Sequence, residues 1–401
     1  MIKTIYVGNR YTTLKKMKYR ITISILIALI FMELYAQNVK IGIPDSINST
    51  VLNEVRHIKI LIPASYKKYE LKKYPVTYIL DGNFLLHSTS GMIEYMSKTG
   101  QIPEMIVVYV SNTNRTRDFT PSKTNINYEG EDDVSLKDSG GGKYFLKFLN
   151  KELIPYIDNN YRTNAFNTLI GRSFGGLIGG YDYMQNESEI DRYLLIDPSF
   201  WWNEQFVINQ IDRVELSDLN NKKVYIACSD NFKYSNYIEE MRNSQNLFYT
   251  KLKDKGVTIS NIKIDYFEDD THGTVTIPSL HKGLLYIFDN YYLKGMKYKS
   301  SDEIISHFSK FSENNNAQFP PLEEMINWLA SIQMEKDKKG AIKLFQLNAL
   351  NYPESVDAHL NLARLYEKLE MTNEAIEKYR DVLKVDIENK TAINKIKELE
   401  K

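Results

Sequence analysis

Short apolar runs rich in β-branched residues alternate with longer stretches of helical spacing from Val39 to about Leu293. Val39–Ile43 and Val55–Ile62 predict an N-terminal strand pair. Val76–Leu80, Ile106–Val110, Thr168–Ile170, Tyr193–Ile196, Val224–Ala227 and Ile262–Phe267 predict further strands. Several are apolar without interruption, as expected of strands covered on both faces. Between them, three-to-four-residue spacing predicts helices over Lys143–Ile157, Gly175–Met184, Ser235–Lys255 and Ile277–Tyr292. This alternation implies an α/β fold with a doubly wound, mostly parallel sheet.

The pattern changes after residue 295. Residues 296–320 read as a linker: Lys297–Asp302 is polar, Ile304–Phe311 suits a short helix, and Asn314-Asn315-Asn316 and Pro320-Pro321 break the chain. Residues 321–401 are helical in pattern and repeat. Ala341-Ile342-Lys343-Leu344-Phe345 returns thirty-four residues later as Ala375-Ile376-Glu377-Lys378-Tyr379, and Trp328 corresponds to Leu362 at the same interval. The small alanine lets two helices approach and the aromatic ring fills the space below. This period, closed by Tyr352-Pro353 in the first unit and by Asp386-Ile387 in the second, resembles the tetratricopeptide repeat. Ala392–Leu399 would cap the array. Two units are too few to stand alone, so they are expected to dock on the preceding domain or to mediate self-association or capture of a protein partner.

Residues 1–36 have the pattern of a cleaved export signal. Lys15, Lys16, Lys18 and Arg20 precede the apolar run Ile21–Met32, and Leu34-Tyr35-Ala36 offers a cleavage point before Gln37. Met17–Ala36 alone makes a complete signal, so Met17 is a possible start. The expectation is a periplasmic or secreted protein, and not a lipoprotein, because no cysteine stands near the cleavage point. The charge is balanced, with 51 Lys+Arg and 51 Asp+Glu. No global field or basic stripe favours nucleic acid. A single cysteine, Cys228, rules out an internal disulfide and a cysteine-based zinc cluster.

Candidate chemistry lies in Gly171-Arg172-Ser173-Phe174-Gly175-Gly176, a G-x-S-x-G between the predicted strand Asn167–Ile170 and a small-residue helix. A serine on such a strand-to-helix turn is a nucleophile elbow, and its glycines admit the crossing backbone. A serine hydroxyl needs a base and a group that orients that base. Of six histidines, His272 follows the last predicted strand on a glycine-containing loop and is the candidate base; His281 lies within the next helix. The acid is expected after the strand Val224–Ala227, at Asp230 first, with Glu239 or Glu240 as alternatives. Backbone N–H groups of Phe174, after the serine, and of Asn83, in Leu80-Asp81-Gly82-Asn83-Phe84, are candidate oxyanion donors. Trp201 and Trp202 are candidates to line the substrate pocket, and Arg117, with Arg115, to meet an anionic or catechol-bearing substrate. No metal or cofactor is required.

Seven segments together resemble the esterase D, or enterochelin esterase-like, family of α/β-hydrolases. They are Arg56-His57-Ile58 leading to Leu61, Pro63 and Tyr66; Tyr78-Ile79-Leu80-Asp81-Gly82; Arg117-Asp118-Phe119-Thr120-Pro121; Glu152-Leu153-Ile154-Pro155-Tyr156-Ile157; the serine turn; Asp197-Pro198-Ser199-Phe200-Trp201-Trp202; and His272-Gly273-Thr274-Val275. That family includes siderophore esterases, feruloyl and acetyl carbohydrate esterases, S-formylglutathione hydrolase and mycolyltransferases, and a variant carries C-terminal tetratricopeptide units. The resemblance implies an α/β-hydrolase domain over residues 37–295 and ester hydrolysis of a small molecule through an acyl-enzyme. It implies Ser173 as nucleophile, His272 as base, and Asn83 and Phe174 as donors. Siderophore-type and carbohydrate esters both remain open as substrates, as does a scaffold that recruits partners through its repeats. Two departures stand out: Arg172 occupies the position where His or Gln is usual, and Ala227-Cys228-Ser229-Asp230 lacks the glycine-acid signature.

Overall fold

Eight strands form one mixed sheet in the computed structural model, which describes residues 40–230 and 237–401. In chain order they are β1 (Ile43–Ser49), β2 (Glu54–Leu61), β3 (Tyr74–Ile79), β4 (Ile106–Val110), β5 (Thr163–Arg172), β6 (Arg192–Ile196), β7 (Lys223–Ser229) and β8 (Ile262–Phe267). Across the sheet they run β1-β2-β4-β3-β5-β6-β7-β8. β1 pairs antiparallel with β2, and β2 antiparallel with β4; from β4 to β8 every neighbouring pair is parallel. The predicted export signal, including Met17, lies outside the described residues, as does Val39.

The inner strands follow the apolar runs closely, because a strand covered on both faces must be apolar at every position. β3, β4 and β7 are buried throughout. The first strand differs from expectation: it begins at Ile43 instead of ending there. It is a half-exposed edge strand, Ile43-Pro44-Asp45-Ser46-Ile47-Asn48-Ser49, too polar to stand out in a hydrophobic pattern.

Helices cover both faces. The principal ones are α1 (Gly82–Lys98), α2 (Phe174–Tyr183), α3 (Tyr237–Lys255) and α4 (Thr276–Ile287). α1 was not evident from apolar spacing: its interior carries Ser88, Thr89, Ser90 and Gly91. Hydroxyls of Thr89 and Ser97 there bond back to carbonyls one turn earlier. The helix predicted over Lys143–Ile157 is two helices, Gly142–Phe148 and Ile154–Asn160, joined by a π turn over Leu149–Leu153. Pro155 lacks the N–H that would continue the α-helical ladder, and the wider turn precedes it.

The linker is more ordered than its composition suggests. α5 (Ser301–Asn314) is capped reciprocally by Ser300 and Glu303. Its Phe308 and Phe311 pack edge-on against Tyr291, and Phe319 bridges Phe311 to Phe166 of β5. Antiparallel helices follow: α6 (Glu323–Gln333), α7 (Lys338–Asn351), α8 (Val356–Lys368), α9 (Thr372–Val385) and α10 (Lys390–Leu399). The repeating positions Ala341, Phe345, Ala375 and Tyr379 are buried between them. Trp328 breaks the correspondence with buried Leu362, being 51% exposed.

These helices rest on the sheet domain. The rings of Tyr69 and Tyr352 pack together at a tilt, 4.5 Å between centroids. The buried Glu323 carboxylate accepts from Lys68, Tyr69 and Ser355, so a helix-borne charge is neutralised partly by the other domain. Burial would raise the Glu323 pKa, but these hydrogen bonds and the Lys68 charge outweigh it and hold the carboxyl below its usual range. Two cavities, about 740 and 900 Å³, lie beside this junction near the starts of β4 and β5. Among the described residues, no helix is long and apolar enough to cross a membrane.

Candidate active site

A parallel sheet presents the C-terminal ends of its strands along one edge, and loops from β3, β5, β6, β7 and β8 therefore meet there. Ser173 leaves β5 at the centre of that edge with φ 57° and ψ −118°. A non-glycine residue in this region is strained by roughly 1–3 kcal/mol, and the strain persists only where surrounding structure enforces it. Here the enforcement is visible. The Ser173 N–H donates to the Ile196 carbonyl at 2.9 Å, and its carbonyl accepts from Ser199 and from Leu177 of α2. Gly171 and Gly176 allow the crossing: a Cβ on Gly171 would sit 2.1 Å from the Gly175 carbonyl oxygen, and one on Gly176 2.9 Å from Pro198. The Ser173 hydroxyl is partly exposed and lies 3.3 Å from that of Ser199.

His272 stands on the loop after β8. Its Nδ1 lies 2.6 Å from Asp197 Oδ2. Asp197 follows β6, is 1% exposed, and has a left-handed φ of 45° that turns its carboxylate along the edge. The other bonds to that carboxylate come from the Ser229 amide and hydroxyl, at 3.0 and 2.7 Å, and from Gln245 Nε2 at 3.0 Å. Burial pushes the Asp197 pKa upward, yet the His272 and Ser229 hydrogen bonds and the imidazole charge more than compensate, holding the carboxyl below its usual range. An ionised carboxylate only accepts hydrogen bonds, so Nδ1 carries a proton, and in the neutral tautomer Nε2 is the basic nitrogen.

Asp230 is therefore corrected: the carboxylate on the His272 ring is Asp197, one strand earlier. The Asp230 carboxylate lies 3.5 Å from Arg242, while its amide donates to the Phe267 and Asp270 carbonyls. It ties the end of β7 to the loop that carries His272 through the main chain. Glu240 is exposed at the start of α3, and the side chain of Glu239 lies outside the described residues. Asp197 stands in the quoted Asp197-Pro198-Ser199 segment, on the strand that pairs directly with the serine strand. That adjacency belongs to sheet order and has no local mark in the sequence.

The two candidate donors sit where helices begin. Phe174 opens α2 and Asn83 is the second residue of α1, both in first turns whose N–H groups lack a carbonyl one turn earlier. Asp81, before α1, has φ 55°, and Arg115 grips its carboxylate through Nε at 2.7 Å and Nη2 at 2.9 Å. Arg115 Nη2 also donates to the Arg172 carbonyl at 3.3 Å, linking the donor turn to the serine turn.

The substrate-contact expectations need correction. Arg117 is taken up by two bonds to Glu54 and one to Asp118, inside a network with buried Arg56. Trp202 is fully buried and its indole N–H donates to Ser122. Trp201 is 7% exposed and packs against Phe174 and Tyr128. Both rings pack against Phe174, the residue after the serine. Among the described residues, no group of His, Cys, Asp and Glu is arranged to hold a metal ion. Cys228 is buried, which pushes its thiol pKa well upward.

Residues 49–204 match the family model described as "Putative esterase". The chain is 25% identical over 217 residues to the ferri-bacillibactin esterase BesA of Bacillus subtilis, covering 51% of this chain and 74% of that protein. It is 24% identical over 252 residues to the siderophore enterobactin esterase of Emericella nidulans, covering 54% and 82%. The crystal structure of an IroE-like serine hydrolase from Shewanella oneidensis superposes with a TM-score of 0.67 at 25% identity, over 77% of this chain and 99% of that one. An uncharacterised protein from Capnocytophaga ochracea shares the fold over 89% of this chain and 99% of its own, with a TM-score of 0.60 at 17% identity.

Proposed function

We infer that this chain, which belongs to the esterase family through residues 49–204, is a serine hydrolase that opens carboxylic esters of the siderophore type. The observation that carries the reading is the Asp197–His272 contact of 2.6 Å on the strand edge where Ser173 occupies a strained turn. In this reading His272 Nε2 takes the Ser173 proton as Oγ attacks the ester carbonyl. The buried, ionised Asp197 holds the ring in the required tautomer and stabilises the imidazolium that forms. Amides of Phe174 and Asn83 receive the developing oxyanion, an interaction worth on the order of 10²–10³ in turnover per donor. His272 then protonates the leaving alcohol, and water resolves the acyl-enzyme by the same route in reverse.

The similarity to proteins named as siderophore esterases supports iron-chelate esters as the substrate class. The basic and apolar segment of residues 15–36 supports export. The helical units of residues 323–399 are read as tetratricopeptide-like, on their thirty-four-residue period and their buried alanine and aromatic positions. A panel of triscatecholate esters, feruloyl and acetyl oligosaccharides tests the reading. Triscatecholate esters should turn over fastest, with Ser173→Ala inactive on all of them. Retained turnover in Ser173→Ala contradicts the mechanism, and preference for the oligosaccharides contradicts the substrate class.

A further inference from the structure

Arg172, immediately before the serine, touches three elements of the site at once. Its Nη2 donates to the backbone carbonyl of His272. Its guanidinium carbon lies 5.7 Å from the centroid of Phe84, which stands in the first turn of α1 beside Asn83. Its own carbonyl receives the bond from Arg115, which also grips Asp81. The structure turns this side chain across the strand edge.

That placement is costly. Burial is the largest influence on the group and lowers its pKa, with Arg115 nearby adding repulsion, while Asp197 and Asp81 partly offset both. Its Nε–H is buried with no hydrogen-bond partner among the described residues. A neutral Gln would suit a half-buried position at lower desolvation cost. The guanidinium supplies what a neutral side chain does not: a rigid fork with reach to a carbonyl on one side and a flat face for an aromatic ring on the other.

We propose that Arg172 is a positioning residue that clamps the His272 loop and the first turn of α1 to the serine turn. The loop it holds, residues 268–275, is also tied by the Asp230 amide to Asp270, by the short turn from Thr271 to Thr274 and Val275, and by the His272 ring to Asp197. Those bonds run within the loop or to the ends of β6 and β7. The Arg172 bond joins the loop to the residue beside the serine, and so sets base against nucleophile. A clamp on the base loop acts on turnover more than on substrate affinity.

This inference rests on the serine-hydrolase reading, and the experiment separates the two. Arg172→Met keeps the aliphatic stem and removes the donors; Arg172→Lys keeps one. Steady-state hydrolysis of a p-nitrophenyl ester, the rate of labelling by a fluorophosphonate, and hydrogen–deuterium exchange over residues 268–275 are measured for both and for the wild type. In Arg172→Met, kcat and labelling rate should fall roughly 10- to 100-fold, the range expected for a displaced catalytic group, with KM within about threefold. Exchange over 268–275 should quicken. Arg172→Lys, which keeps a cationic donor without the planar fork, should recover part of the loss. If Arg172→Met retains kcat and exchange within twofold of wild type, or if Lys restores nothing, the clamp is wrong. A wild type that neither turns over the ester nor takes the label removes the serine-hydrolase reading, and loop exchange still decides whether Arg172 holds the loop.

Discussion

Asp197 is where a single carboxylate determines the behaviour of the site. It is buried, receives bonds from Ser229 and Gln245, and contacts the His272 ring. Asp197→Asn keeps the shape but reverses the preferred tautomer, and should lower kcat by about 10³–10⁴. Asp230→Asn should stay within a few-fold, because the Asp230 amide that holds the base loop survives the change. Acidity offers a second check. The folded-state pKa of Asp197 lies below its unfolded value, near 3.9. Its contribution to stability is therefore complete above that value and is lost as pH falls through the folded one. Thermal midpoints measured from pH 6 down to pH 3 should fall more steeply below about pH 4 in wild type than in Asp197→Asn. Equal slopes would show that Asp197 is not held ionised. Ser173 and His272 stand out in the sequence as candidates because each carries local punctuation: glycines around a turn, and a glycine loop after the last apolar run. Asp197 carries none that sets it apart from Asp230. Its role depends on which strand end reaches the imidazole, a property of sheet order. Arg117, Trp201 and Trp202 were misread for a related reason, since residue type does not reveal an ion-pair partner or a buried face.

At the scale of elements, the strand–turn–helix from β5 into α2 is the strictest part of the molecule. A Gly171 Cβ would meet backbone atoms of Gly175 at 2.1 and 2.4 Å, which cannot move aside without opening the turn. Gly171→Ala should cost about 3 kcal/mol or more in urea unfolding, an overpacking penalty at the upper end of its range. Gly91 offers the control. It lies in the middle of α1, exposed, and an added Cβ there would meet nothing within 4 Å. Gly91→Ala should stabilise by roughly 0.5–1 kcal/mol through helix propensity. If the two changes were equally tolerated, the elbow would not have the tight crossing described. The apolar runs located the inner strands well, since double burial leaves a continuous signature. Edge strand β1 and helix α1 escaped because one is polar and the other is interrupted by hydroxyl residues bonding to their own helix.

For the whole molecule, the question is whether the C-terminal helices are an appendage or part of one folded unit. Glu323 of α6 shares its charge with Lys68 and its hydrogen bonds with Tyr69 across the junction, and Tyr352 packs at a tilt against Tyr69. Glu323→Ala leaves a buried phenol and the Ser355 hydroxyl without their acceptor. We expect a loss of about 1–3 kcal/mol, the usual cost of stranded polar groups. Both domains should melt in a single transition in wild type, and tryptophan fluorescence and far-ultraviolet dichroism should report the same midpoint. Two well-separated transitions would mean that the helices fold independently of the sheet. The period of the helices was visible in the sequence, whereas their seat on the domain was not, because it joins residues about 250 positions apart and no local pattern encodes such a pairing.

The measurement closest to the central claim is active-site labelling. Wild type, Asp197→Asn, Asp230→Asn and Ser173→Ala are treated with a fluorophosphonate, and the modified peptide is located by mass spectrometry. One adduct on Ser173 is expected in wild type, a similar rate in Asp230→Asn, labelling slowed by about 10³ or more in Asp197→Asn, and none in Ser173→Ala. An adduct on another residue, or full-speed labelling of Asp197→Asn, would contradict that claim.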